Sequence, residues 1–230
     1  MKIKHFFLFF ALFCFCFYAI GLYNKTVAIY EKKLTYDEHI GWIDWGHAQT
    51  EGTNQLLQNV EKSFQNADTV VYFQKMKIFF IYAKVEQHFK IDSLCEQNKL
   101  KTSYQIFETV SDNFEKMQGD FPFYVVPFVR NSSFSEEDLN GNKISFYCAV
   151  NSISPEVFKQ KTTQNSFFST LINYYTPSFL LKNKQNEAQN NDLQAYFTFF
   201  ETLNQQQTAK IESIFFTKKI EMLSSEFQLK

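Results

Sequence analysis

Half of the glycines in this chain crowd into residues 39–52 (HIGWIDWGHAQTEG). Gly41, Gly46 and Gly52 stand there beside both tryptophans, Trp42 and Trp45, and two of the four histidines, His39 and His47. Elsewhere the sequence is rich in lysine, asparagine and phenylalanine, with little local signature. Bulky rings, a permissive backbone and titratable groups in one short stretch are the ingredients of a site. At strand period, Ile40, Trp42 and Asp44 share one face of Glu38–Trp45, while His39, Gly41, Ile43 and Trp45 share the other.

The N-terminus constrains location. Lys2 and Lys4 precede an unbroken apolar run from Phe6 to Tyr18. As a helix that run is about 20 Å long at ~1.5 Å per residue, short of the ~30 Å hydrocarbon core of a bilayer. Ala19-Ile20-Gly21 then offers small residues for an export peptidase. Residues 1–21 are therefore read as a signal peptide; the alternative is an uncleaved membrane anchor over Phe6 to Leu22. Either places residues 22–230 outside the cytoplasm: secreted, periplasmic or anchored at the envelope. The Ile43-Asp44-x-x-His47 segment resembles uncharacterised exported bacterial domains, a resemblance that carries no activity to transfer.

Export changes the meaning of Cys95 and Cys148, an even pair in an oxidising compartment. A bridge would close a loop of just over fifty residues, and chain entropy assigns it about 4 kcal/mol as an upper figure. Two inert thiols, or a reactive Cys148, are the other readings.

With 29 Phe and 12 Tyr there is ample material for a core, and no Pro/Gly/Ser linker divides it. One exported domain over 22–230 is expected. Without Lys2 and Lys4, the 23 basic residues fall to 21 against 24 acidic ones. That balance makes no case for nucleic acid, which rewards clustered Lys and Arg. Membrane contact is expected only through the N-terminal segment. Arg130 is the single arginine against 22 lysines, either through codon bias or because its position needs a planar bidentate donor for a ligand.

Along the chain, Val27–Leu34 and Glu38–Trp45 suggest strands. Thr53 caps a helix over Asn54–Gln65, with Leu56, Leu57, Val60 and Phe64 at helical spacing. Thr69–Ala83 suggests one or two strands and Lys84–Ile91 another, with His88 on its solvent face. Ser103 opens a helix through Tyr104, Phe107, Val110, Phe114 and Met117, stopped by Gly119. Pro122 and Pro127 make Phe121–Arg130 an edge strand or extended segment. Ser135–Asp138 opens a single turn, Asn140-Gly141-Asn142 is a turn, and Lys143–Val150 (KISFYCAV) suggests a strand. Ser154-Pro155-Glu156 caps a further helix. Lys182–Asp192 is a polar loop, and Leu193–Leu203 and Thr208–Leu223 suggest helices. The expected fold is α+β: a mainly antiparallel sheet with flanking helices and a helical C-terminal region.

Three constellations bear chemistry. In the first, Gly46 bends the backbone so that the Asp44 carboxylate meets the His47 imidazole, fixing its tautomer as a general base requires. Trp42 and Trp45 exclude water or stack on a ligand, and His39 and Glu51 complete the set. The bland reading is a buried strand end with tryptophans in the core. The His39-x4-Asp44-x2-His47 pattern matches no strong metal signature, so no metal and no cofactor is assigned. The second adds Cys148 as nucleophile to His47 and Asp44, the logic of papain-type envelope hydrolases. Cys148 then sits inside an expected strand, whereas such thiols commonly open a helix. The third, Glu136, Glu137, Asp138 and Asn142 with Arg130, lacks the spacing of a calcium loop. Nucleophile elbows, phosphate-binding glycine loops and paired Cys-x-x-Cys sites are absent, which argues against P-loop or Rossmann nucleotide binding and zinc fingers.

The expected function is therefore a binding or structural module with an unidentified ligand or envelope partner. The alternative is an envelope hydrolase built on Asp44 and His47, with Cys148 as its nucleophile.

Overall fold

A computed structural model of the chain describes residues 33–66, 69–78, 81–91, 95, 98–120, 134–163, 167–175, 194–207 and 210–222. The expectations for residues 1–21, for most of Val27–Leu34, for Phe121–Arg130 and for Lys182–Asp192 lie outside those residues. Within them the fold is α+β, with two antiparallel sheets.

The first sheet is a hairpin of β1 (Leu34–Asp37) and β2 (Gly41–Asp44), with Tyr36 opposite Trp42. The strand expected over Glu38–Trp45 is shorter because Asp37 interrupts it. Asp37 Oδ1 accepts from the backbone N–H groups of His39 (2.8 Å) and Ile40 (2.9 Å). An aspartate side chain that captures the two following amides ends a strand in a turn. Gly41 leaves that turn at φ 91°, a conformation that side-chain-bearing residues resist. Both faces of β2 are covered, so Trp42, Ile43 and Trp45 are all buried.

Helix α1 (Glu51–Asn66) follows, burying Leu56 and Val60 and half-burying Leu57 and Phe64 as their spacing predicts. It starts earlier than expected: the Thr50 carbonyl accepts from Asn54 N–H at 2.8 Å. Thr53 is therefore an interior residue rather than the cap. The second sheet has the order β3 (Thr69–Ile78), β4 (Ile81–Ile91), β5 (Ile211–Met222), antiparallel throughout. Along β4, Ala83, Val85, Gln87, Phe89 and Ile91 are buried, while Lys84, Glu86 and His88 are partly open. The expected parity holds, His88 included. Gln87, the polar residue on the core face, has its Oε1 satisfied by Asn113 Nδ2 at 3.0 Å. Helix α2 (Lys99–Gly119) packs Tyr104, Phe107, Val110, Phe114 and Met117 onto this sheet and α1.

Two segments differ from expectation. The turn at Asn140–Asn142 and the strand at Lys143–Val150 are one continuous helix, α3 (Glu136–Asn151). It ends at Ser152 in the left-handed region (φ 55°), where Ile153 N–H reaches back to the Cys148 carbonyl at 2.9 Å. Three stripes of α3 are buried in three directions. Phe146 enters the core formed by α1, α2, β3 and β4. Ile144, Tyr147 and Cys148 enter a second core with Ile40, Ile43, Trp45, Phe158 and Tyr196. Asp138, Gly141, Asn142 and Ser145 form the third stripe. A helix buried round most of its circumference, with Glu136, Leu139, Lys143 and Val150 partly open, shows little amphipathic contrast, and an apolar β-branched and aromatic run then mimics a strand.

The second difference is the C-terminal segment. The described part of Thr208–Leu223 is a strand rather than a helix: Ile211–Met222 pairs with β4, with a register shift at His88/Phe89. Ile, Phe and Thr suit a strand, and the open edge of β4 supplies the partner that local spacing does not reveal. The other helices are α4 (Pro155–Thr163), capped by Ser154 as expected (Glu156 N–H to Ser154 Oγ, 3.2 Å), α5 (Phe167–Tyr175) and α6 (Gln194–Gln205). Among the described residues no helix is long and apolar enough to cross a membrane.

The disulfide expectation is corrected. Cys95 lies in the sheet core and donates to the Lys210 carbonyl at 3.3 Å; Cys148 lies in the hairpin core; no bridge joins them. With Cys148 on a helix that turns it toward the hairpin, the two side chains belong to different clusters, whereas a bridge needs Cβ atoms about 4 Å apart.

Candidate functional site

The site is built where α3 crosses the end of β2. Asn140, nearly fully buried, donates through Nδ2 to the carbonyls of both Ile40 and Trp42 (3.0 Å each). One turn further, Ser145 Oγ donates to the Gln49 carbonyl at 2.6 Å and lies 2.8 Å from Thr53 Oγ1. Between these ties Gly141 meets the chain just after β2. A Cβ there would stand 2.4 Å from the Asp44 carbonyl oxygen and 2.9 Å from His47 Cβ. Only a residue without a side chain permits that approach.

The result is a cluster drawn from two distant stretches. Asp44 closes β2, and its carbonyl accepts from His47 N–H at 3.1 Å, which forms a tight turn. Asp44 Oδ1 accepts from Gly46 N–H at 2.7 Å. Gly46 itself has no positive φ; its missing side chain leaves room for that carboxylate, 3.0 Å from where a Cβ would stand. A carboxylate from α3 also stands beside His47: Nε2 lies 3.6 Å from Asp138 Oδ1. One ligand atom each from Asp44, His47 and Asp138 falls within 4.8 Å of the others.

These three residues border a cleft of about 820 Å³ between residues 44–53, β3, α2 and α3. Its walls combine polar groups (Gln74, Gln118, Asn142) with rings (Tyr72, Phe107, Phe114). Burial raises the Tyr72 phenol to about 12, so its hydroxyl stays protonated. Asn142 is 7% exposed, and its Nδ2 has no hydrogen-bond partner among the described residues.

The other predicted site residues divide. Glu51 lines the cleft. Trp42 and Trp45 do not: Trp42 stacks edge-on against Tyr36 at 5.5 Å, and Trp45 Nε1 donates to Thr35 Oγ1 at 2.7 Å. His39 sits in the turn before β2, 3.1 Å from Glu38, and is not among the lining residues. Arg130 lies outside the described residues. From sequence alone, Asp138 and Asn142 are expected in a capped turn that falls short of a calcium loop, not beside His47. The spacing Asp138, Gly141, Asn142, Ser145 (i, i+3, i+4, i+7) is a helical stripe and was the available signal.

Cys148 is fully buried and does not line the cleft. Burial pushes its thiol up to about 12, the reverse of what a nucleophile requires. At pH 8 about one thiol in ten thousand is then ionised. Iodoacetamide should label Cys148 at least about a thousandfold more slowly in the folded protein than in denaturant, read by peptide mapping; equal rates contradict the assignment.

Lys159 of α4 is also buried, 7% exposed, with its ammonium 5.4 Å from the Trp45 ring centre. Burial lowers it from the usual 10.5 to about 8, against opposing pulls from Glu156 and Asp44. Above pH 8 the folded chain has released this proton while the unfolded chain keeps it. Unfolding then takes up a proton, and stability rises with pH up to the point where tyrosines ionise near 10. The gain across pH 8–10 is expected to be of the order of 2 kcal/mol. Denaturant titrations should show that rise in the wild type and a flat profile in Lys159→Met.

Comparison with protein-family models, with curated proteins and with solved structures finds no match. Function is accordingly argued from the cleft itself.

Proposed function

We propose that this protein is an exported binding module that takes a small polar ligand into the cleft bordered by Asp44, His47 and Asp138. The observation that carries this reading is the clustering of one imidazole and two carboxylates on an open cleft whose lining also holds aromatic rings. Convergent polar groups beside apolar side chains in a concave hollow are what small-ligand sites present. Export is supported by Lys2, Lys4 and the apolar run that follows. Mass spectrometry of the N-terminus of the cell-derived protein tests it: a start at Leu22 supports cleavage, and an intact Met1 in the cytoplasmic fraction rejects export.

Binding is tested by titrating the 15N-labelled protein with small carboxylates, phosphates, amino acids and sugars. Shifts confined to the amides of Gly46, Gly52, Asn142 and Ser145 support the cleft. Shifts absent or scattered over the surface reject it.

A hydrolase is the second reading, favoured by the His47–Asp138 pair, in which a buried carboxylate orients an imidazole. With Cys148 sealed in the core, the attacking group in that reading is water activated by His47.

A further inference from the structure

We infer that Asp44, His47 and Asp138 hold a divalent transition-metal ion, and that Asn142 hydrogen-bonds an oxyanion bound to that ion. The inference rests on the cleft being a binding site and names what it binds.

Donor chemistry selects the ion. Two carboxylates and one imidazole suit borderline first-row divalent ions such as Zn²⁺ or Mn²⁺. Magnesium and calcium favour all-oxygen sets, and the lack of a thiolate disfavours soft ions. Two carboxylates balance the charge of one such ion. Burial of Asp138, 1% exposed, strengthens its attraction to a cation.

Geometry supports the same reading. Ligands around an ion with bonds of about 2.1 Å stand about 3–4 Å apart. His47 Nε2 and Asp138 Oδ1 are separated by 3.6 Å, and the full set by no more than 4.8 Å. Small side-chain rotations close the remaining gap. Asp44 contributes one carboxylate oxygen to that set, and Gly46 N–H holds its Oδ1 at 2.7 Å. Three protein ligands leave a position open for an outside group, as in sites that bind or activate ligands.

An independent observation comes from Asn142. It follows Asp138 by one helical turn, lines the same cleft and is more than nine-tenths buried, with Nδ2 unpartnered among the described residues. A buried amide donor without an acceptor carries a desolvation cost that a bound group would relieve. An N–H does not ligate a cation, so its natural acceptor is an oxygen on the ion's open position. A carboxylate or phosphate oxygen fits both the ion and the amide.

The test uses chelator-treated full-length protein. Zn²⁺ titrated calorimetrically is expected to bind one to one, and Co²⁺ to give visible d–d absorption. His47→Gln and Asp138→Asn, checked for folding by circular dichroism, are each expected to weaken Zn²⁺ binding at least about tenfold and to abolish the Co²⁺ bands. Asn142→Ala should keep Zn²⁺ affinity within about threefold while weakening phosphate or acetate binding to the Zn²⁺ form about tenfold. Absence of one-to-one binding and of Co²⁺ bands in the wild type overturns the inference, whatever the variants do. Equal Zn²⁺ affinity in folded His47→Gln and Asp138→Asn also overturns it. Unchanged phosphate and acetate affinity in Asn142→Ala overturns the role of Asn142. If Zn²⁺ and Co²⁺ fail to bind while small polar ligands still give cleft-localised shifts, the metal inference falls alone; if neither response occurs, the binding reading falls with it.

Discussion

Gly141→Ala is expected to lower the unfolding free energy by about 3 kcal/mol, at the upper end of what one added methyl group costs in a packed interior. The reason is where the methyl would go. It would stand 2.4 Å from a backbone oxygen, that of Asp44, and 2.9 Å from His47 Cβ. A flexible side-chain tip could swing aside, but a carbonyl at the end of a paired strand cannot. Relief requires α3 to back away from β2. That movement would stretch the Asn140 bonds to Ile40 and Trp42 and carry Asp138 away from His47. Stability and site should therefore fail together. A thermal melt should show a loss of about 6–12 °C. An unchanged melting temperature would mean that helix and hairpin do not meet there.

Phe146→Ala is expected to cost about 4 kcal/mol, within the range for emptying a buried aromatic site. Phe146 is fully buried, with its ring 5.0 Å from that of Tyr104, 5.6 Å from Phe107 and 6.4 Å from Phe199. These neighbours come from two helices held by other contacts, so the cavity would collapse only in part. Val157→Ala is the control: Val157 is 60% exposed on α4, and its truncation should change stability by no more than about 0.5 kcal/mol. Comparable urea midpoints for the two variants would contradict the burial assigned to α3.

Where one side of an element faces water, its period was legible in the sequence. Leu56, Val60 and Phe64 marked α1, the run from Tyr104 to Met117 marked α2, and alternation over Lys84–Ile91 marked most of β4. Where burial runs round most of an element, the pattern failed. Lys143–Val150 carries Ile, Phe, Tyr and Val in near succession because α3 is packed against both cores and the hairpin. β5 failed for another reason: its structure depends on pairing with β4, more than a hundred residues earlier, a contact that local spacing does not contain.

The site followed the same division. Asp44 and His47 were legible because a turn brings neighbours in sequence together. Both line one cleft, whereas the placement of Asp138 beside His47 was not legible. That pairing depends on α3 being a helix, and reading 140–142 as a turn hid the stripe shared by Asp138, Asn142 and Ser145. The disulfide was misjudged through the same error, since a strand gives no indication that Cys148 faces the hairpin core.

The contact between α3 and the turn after β2 assembles both the cluster of Asp44, His47 and Asp138 and the cleft beside it. Its most direct test is the nuclear Overhauser effect between the Gly141 α-protons and the His47 β-protons in the full-length protein. A strong cross-peak at short mixing time, with helical i to i+3 connectivities from Glu136 to Asn151, is the expected result. A missing cross-peak, or strand-type connectivities over Lys143–Val150, would dismantle the cluster of Asp44, His47 and Asp138.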